Sequence, residues 1–175
     1  MLKRYHGPRL ETRFKDDHAN PPRHGQIMKH YENCLILRLR MPVSDDLHPR
    51  SFLTKITKYE RVVDIPNSHS ILEDLLPASV LLAQNQQVGI YNFTNPGAIS
   101  HNEVLTLFRD IVRPSFTWQN FTLEEQAKVI KAGRSNCKLD TTKLVTKLKE
   151  YGYEIPEIHT AYRRCLERMK AAGVV

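Results

Sequence analysis

GIYNFTNPGAISHNE, residues 89–103, is the stretch from which the fold is read. The apolar run 88–93 gives way to Thr94-Asn95-Pro96-Gly97, four residues that favour turns and tolerate unusual backbone angles. A strand therefore ends in a loop. Ser100 and Glu103 follow with the S-x-x-E spacing of a capping box, and Val104, Leu107, Phe108 and Ile111 repeat behind them at helical spacing. In an open α/β sheet a strand–loop–helix junction faces ligands, because the free amides at a helix start favour anionic groups. Thr94, Asn95 and His101 are accordingly candidate substrate contacts, with Ser100 as the N-cap.

On the N-terminal side, Cys34-Leu35-Ile36-Leu37 runs into Arg38-Leu39-Arg40-Met41, and Pro42 ends it. An apolar run without alternation is what a strand buried on both faces looks like. Phe52, Leu53, Ile56 and Tyr59 make a short helical face, and 61–65 is a second strand. Ser70 and Glu73 have capping-box spacing again, before a helix whose inner face is Leu72, Leu75, Leu76, Val80 and Ala83, with a kink expected at Pro77. On the C-terminal side, Thr122 and Glu125 cap a helix with Leu123, Ala127 and Ile130 inward. Asp140 is the expected N-cap of a helix bearing Leu144 and Leu148. In the last helix Pro156 presets the first turn, and Ile158, Ala161, Tyr162, Cys165, Leu166 and Met169 form one stripe. The expectation is an α/β fold of few parallel strands with about six helices, a set that reads as the later part of a larger α/β domain.

The 175 residues are 41% hydrophobic and 26% charged, enough for one sizeable core. Residues 1–30 hold seven basic residues against three acidic ones, +4 of the net +7, so the excess lies in the leader rather than in a nucleic-acid-binding stripe. Residues 1–26 have no period and read as a disordered basic leader; 27–175 reads as a partial substrate domain. His6, His18 and His24 lack ligand spacing, so no metal site is expected. Cys34, Cys137 and Cys165 read as free thiols in a reducing compartment. With no apolar run near the roughly 18 residues of a membrane span and no signal-peptide pattern, the expected location is cytoplasmic, without membrane contact.

Residues 29–150 carry a resemblance. The strings KHYENCLILRLRMPVSDDLHPRSFLTKITKYERVVDIPNSHSILEDLLP, GIYNFTNPGAISHNEVL and FTWQNFTLEEQAKVIKAGRSNCKLDTTKL are similar to the C-terminal half of nucleotide-rhamnose synthase, an epimerase-reductase. SNCKLDTTKL also resembles a block of dTDP-4-dehydrorhamnose reductases, and both belong to the extended short-chain dehydrogenase/reductase superfamily. The resemblance implies a Rossmann-like fold, NADPH as cofactor, and a UDP- or dTDP-linked 4-keto-6-deoxy sugar as substrate. The family inverts C3 and C5 of that sugar and reduces C4. It also implies that the loops after the strands face the substrate, which makes Ser44, Arg50, Asn67 and Ser68 candidates. Trp118 either stacks on a base or sugar or packs under the following helix, and Arg134, with Asn136, either meets a diphosphate or is an ordinary surface residue.

Two family features are missing from these residues. No G-x-x-G-x-x-G follows a strand, and Pro21-Pro22-Arg23-His24-Gly25-Gln26 stands where the family has its Tyr-x-x-x-Lys helix. The chain is therefore expected to have no catalytic pair and no cofactor loop, and to be inactive alone. A partner protein or self-association would supply the missing sheet edge. The alternative expectation is a non-catalytic sugar-nucleotide-binding or regulatory subunit.

Overall fold

Parallel strands need long crossovers, and this chain supplies them with helices. In the computed structural model, residues 30, 33–122, 124–125 and 138–174 are described. Their order is β1 (Leu35–Arg38), β2 (Pro42–Val43), α1 (Phe52–Ile56), β3 (Arg61–Val62), β4 (Ser70–Ile71), α2 (Leu72–Gln84), β5 (Gly89–Asn92), α3 (His101–Ile111), β6 (Gln119–Asn120), α4 (Thr142–Glu150) and α5 (Ile158–Ala171). The strands form three parallel pairs. Leu35 lies opposite Gly89 in β1–β5, Pro42 opposite Ser70 in β2–β4, and Arg61 opposite Gln119 in β3–β6. An antiparallel bridge between Asn67 and Ile99 joins the β3–β4 loop to the residues before α3.

Two apolar cores hold these pairs. Val43, Leu53, Ile71, Val104, Tyr162 and Leu166 meet where α1, α3 and α5 close on β2 and β4. Leu75, Leu82, Tyr91, Phe93, Leu144 and Leu148 form the second, with Leu35 and Leu37 of β1 packed against it. The α5 stripe is buried along its length from Ile158 to Met169, as its spacing dictates.

The capping box at α3 forms as expected: Ser100 Oγ accepts from Glu103 N at 3.2 Å and Glu103 Oε2 from Ser100 N at 2.7 Å. Thr122 and Glu125 make the same reciprocal pair, although most of the helix expected after them lies outside the described residues. Other expectations need correction. Ser70 and Glu73 form no box. Ser70 lies in β4, donates to Phe93 O at 2.7 Å and leaves Ile71 as the N-cap of α2, because a sheet neighbour outcompetes the local amide. Of the second strand, only Arg61–Val62 is extended and paired. Leu76 and Val80, placed on the inner face of α2, are 59% and 55% exposed; Leu75, Ala78 and Leu82 are the buried set. Thr141 rather than Asp140 precedes α4, with Asp140 Oδ1 accepting from Thr142 N at 2.9 Å. Pro156 precedes the N-cap Glu157 instead of occupying the first turn of α5. Finally, β1 is half-buried throughout, since among the described residues it pairs only with β5.

Candidate functional site

The carboxyl ends of several strands converge on one cavity of about 540 Å³. Met41 enters it from the turn beyond β1, Val62 and Val63 from the end of β3, His101 from the first position of α3 after the β5 loop, and Phe121 from just past β6. Phe52 and Ile56, four residues apart on α1, form one wall, and Lys58, Tyr59, Glu60 and Arg61 stand at the exposed mouth. This is where α/β folds bind ligands. Arg61 Nη1 pairs with Glu125 Oε1 at 2.8 Å and its guanidinium lies 5.9 Å from the Phe121 ring centre. Lys58 has no carboxylate partner among the described residues.

Behind the cavity is a buried polar pair. His69 Nδ1 and the Tyr162 hydroxyl share a hydrogen bond of 2.5 Å, and Phe52 meets the His69 ring edge-on at 4.7 Å. His69 Nε2 is buried without a hydrogen-bond partner among the described residues. Burial first, then the nearby His101 and Arg40, pushes the His69 pKa down to about 3, so the ring is neutral. Burial raises the Tyr162 hydroxyl well above its usual range and pushes the Cys165 thiol up to about 12, leaving both protonated and unreactive.

The residues named from sequence separate into groups. His101 lines the cavity, and its ring lies 5.4 Å from that of Phe52. Asn67 accepts from Arg40 Nη2 at 2.6 Å, and Ser68 Oγ takes the Leu139 amide at 2.9 Å, so both tie loops together. Thr94 is fully buried. Asn95 accepts from Ile71 N at 2.9 Å and donates to Asp74 Oδ2 and Pro156 O, which uses its amide inside the protein. Ser44 donates to Asp46, and Arg50 is exposed on the same loop. Trp118 Nε1 donates to Asn102 Oδ1 at 2.7 Å while its ring stacks with Phe116. Arg134 and Asn136 lie outside the described residues. Sequence reasoning missed Met41, Phe52, Tyr59 and Phe121 as a set. Spacing puts Phe52 and Tyr59 on one helical face, but nothing in it joins them to Met41 or Phe121, which come from other segments.

The chain is 61% identical over 126 residues to a bifunctional dTDP-4-dehydrorhamnose 3,5-epimerase/dTDP-4-dehydrorhamnose reductase of Arabidopsis thaliana, a match covering 71% of this chain and 42% of that protein. A trifunctional UDP-glucose 4,6-dehydratase/UDP-4-keto-6-deoxy-D-glucose 3,5-epimerase/UDP-4-keto-L-rhamnose-reductase of the same plant is 53% identical over 126 residues, 71% of this chain and 19% of that one. The crystal structure of the L780 UDP-rhamnose synthase from Acanthamoeba polyphaga mimivirus superposes with a TM-score of 0.71 at 42% identity, over 82% of this chain and 49% of that one. The chain is homologous to part of the rhamnose synthases. It spans half or less of the length of these relatives. No family model matches it. This rhamnose-synthase homologue shares a Rossmann-like fold with dTDP-4-dehydrorhamnose reductase from Bacillus anthracis, solved in complex with NADP, at a TM-score of 0.61 and 16% identity over 85% of this chain and 52% of that one.

The junction before α3 does not fit the pyrophosphate of such a cofactor. It is the natural anion site, yet Asn102 N donates to Asp64 Oδ1 at 3.2 Å and Glu103 N to Ser100 Oγ. Beside it, a Cβ on Gly97 would lie 2.8 Å from Glu157 Oε1, so the backbone there approaches a carboxylate and not a phosphate. Among the described residues no helix is long and apolar enough to cross a membrane, and no group of three or more His, Cys, Asp or Glu is arranged for a metal.

Proposed function

We propose that this chain forms the sugar-nucleotide-facing portion of a nucleotide-rhamnose epimerase/reductase, acting on a UDP- or dTDP-linked 4-keto-6-deoxy sugar. The observation that carries the reading is the cavity at the carboxyl strand ends, lined by residues between 41 and 121, in a chain that is 61% identical over 126 residues to part of a plant epimerase/reductase. At its mouth Lys58 and Arg61 offer cations to a diphosphate, and Tyr59 and Phe121 offer aromatic faces to a base or sugar. Ser44, Arg50, Asn67, Ser68, Thr94, Asn95 and Trp118 act by holding the loops around this cavity or meeting the nucleotide tail, and Arg134 and Asn136, outside the described residues, remain the proposed diphosphate contacts.

In this reading the chain binds and orients substrate. Proton transfer at C3 and C5 and hydride delivery to C4 use groups supplied elsewhere, because Tyr-x-x-x-Lys and the glycine-rich loop are not among these residues and the α3 junction does not suit NADPH. The outer edge of β1 is where a second α/β body, in another polypeptide or a second copy, would add a parallel strand. A non-catalytic sugar-nucleotide-binding subunit is the second reading, favoured by the same missing pair.

Thermal-shift titration of the purified chain with UDP, dTDP and UDP-rhamnose tests the shared core of both readings, since a ligand of the folded state raises its melting temperature. A saturable rise that Lys58→Glu abolishes without changing the melt of the free protein is the expected result. A cooperative melt that none of the three ligands moves overturns the proposal.

A further inference from the structure

The cavity has two chemical zones. Its inner wall is Ile56, Val62 and Val63, at most 7% exposed, while the charged residues are confined to the mouth. Met41, half-buried, also lines the cavity, and from an unusual backbone: its φ is +43°, in the left-handed region, and it precedes Pro42. Left-handed φ is disfavoured for any residue with a Cβ, and a following proline narrows the choice further. Strain kept at a cavity wall indicates a demand on where that side chain points. The side chain so placed is unbranched, apolar and adaptable in shape.

Resting on the proposed function, we infer that Met41 selects the 6-deoxy sugar: together with Phe52 and Val63 it receives the methyl group on C5, and its thioether offers a C6 hydroxyl no hydrogen-bond donor. The orientation follows from the zones. A diphosphate belongs with the cations Lys58 and Arg61 at the mouth. A pyrimidine needs two or three hydrogen-bond partners along its edge, more than the single buried imidazole of His101 supplies in a lining that is otherwise apolar away from the mouth, so the apolar end of the ligand lies inside. Burying an unpaired hydroxyl there disfavours a sugar that carries one, and apolar pockets discriminate against an added hydroxyl by factors of order 10² at most.

UDP-glucose and UDP-6-deoxyglucose differ only at that hydroxyl, so titration calorimetry of the purified chain with both, and with UDP, is decisive. Wild-type protein is expected to bind UDP-6-deoxyglucose about tenfold more tightly than UDP-glucose. Met41→Gln keeps the side-chain length and offers the hydroxyl an amide. It is expected to bring the two affinities to within about twofold while leaving that for UDP unchanged. Met41→Leu, which stays apolar, is expected to keep the wild-type preference, and equal melts of the three proteins exclude a folding defect. Equal binding of the two sugars by wild type, or an undiminished preference in Met41→Gln, overturns the inference while UDP binding leaves the proposed function standing. Absence of binding of UDP, dTDP and UDP-rhamnose alike overturns both.

Discussion

Replacing His69 and Tyr162 together by Leu and Phe isolates the contribution of one buried imidazole to acid stability. His69 is neutral in the folded protein, with its pKa depressed to about 3 from 6.5 by burial, then by His101 and Arg40. Below pH 6.5 the unfolded chain takes up a proton on this histidine that the folded chain refuses, so stability is fully present above pH 6.5 and is lost as pH falls toward 3. Well below pH 6.5 each pH unit removes about 1.4 kcal/mol, so going from pH 7 to 4.5 removes about 2.5 kcal/mol, a large share of the roughly 5–15 kcal/mol of a typical domain. Glu73 and Asp74, whose carboxyls burial pushes up, act in the opposite sense in both proteins and cancel in the comparison. Removing both partners at once matters. Tyr162→Phe alone strands His69 Nδ1 at about 1–3 kcal/mol, whereas an apolar pair of similar shape is near neutral at pH 7. Urea unfolding at pH 7, 6, 5 and 4.5 should show the wild type losing about 2–3 kcal/mol more than the double variant. Parallel curves, within about 0.5 kcal/mol throughout, would refute the reasoning.

Gly97→Ala and Gly152→Ala separate strain from collision. Both have positive φ, but only at Gly97 does an added Cβ meet a neighbour, Glu157 Oε1 at 2.8 Å. Gly152→Ala should cost about 1–2 kcal/mol and Gly97→Ala at least about 1 kcal/mol more by urea unfolding; equal losses would show that Glu157 moves aside freely. Asn95→Ala strips partners from buried Ile71 N and from Pro156 O and should destabilise by about 3 kcal/mol or more, while the half-buried Asn92→Ala should cost under about 1.5 kcal/mol. A fully stable Asn95→Ala protein would remove its structural role.

What the sequence made legible was whatever a single segment encodes. The strand–loop–helix at 89–103 and the α5 stripe are read from spacing because capping and amphipathicity act within one element. Ser70-x-x-Glu73 has the spacing of Ser100-x-x-Glu103 yet serves the sheet, since the Phe93 carbonyl that captures Ser70 lies 23 residues away in sequence. Two-residue strands such as β2 and β6 contain no period at all. The same limit hid the cavity. His101 was visible as a polar residue at a helix start, but Met41, Phe52 and Phe121 become neighbours only through tertiary folding. Asn95 shows the converse: a residue type suited to ligands is spent on holding α2 and the α5 approach together.

The three strand pairs also set an order of events for the growing chain. Residue 35 waits for residue 89 and residue 61 for residue 119, so each of these ladders closes a loop of more than fifty residues. Only β2–β4, with Pro42 opposite Ser70, is closed earlier. Loop closure must precede any reward from pairing, and sheets built from distant partners form slowly for that reason. During synthesis, therefore, the β3 face of the cavity stays unpaired until β6 has left the ribosome, and the apolar β1 run stays exposed until β5 follows it.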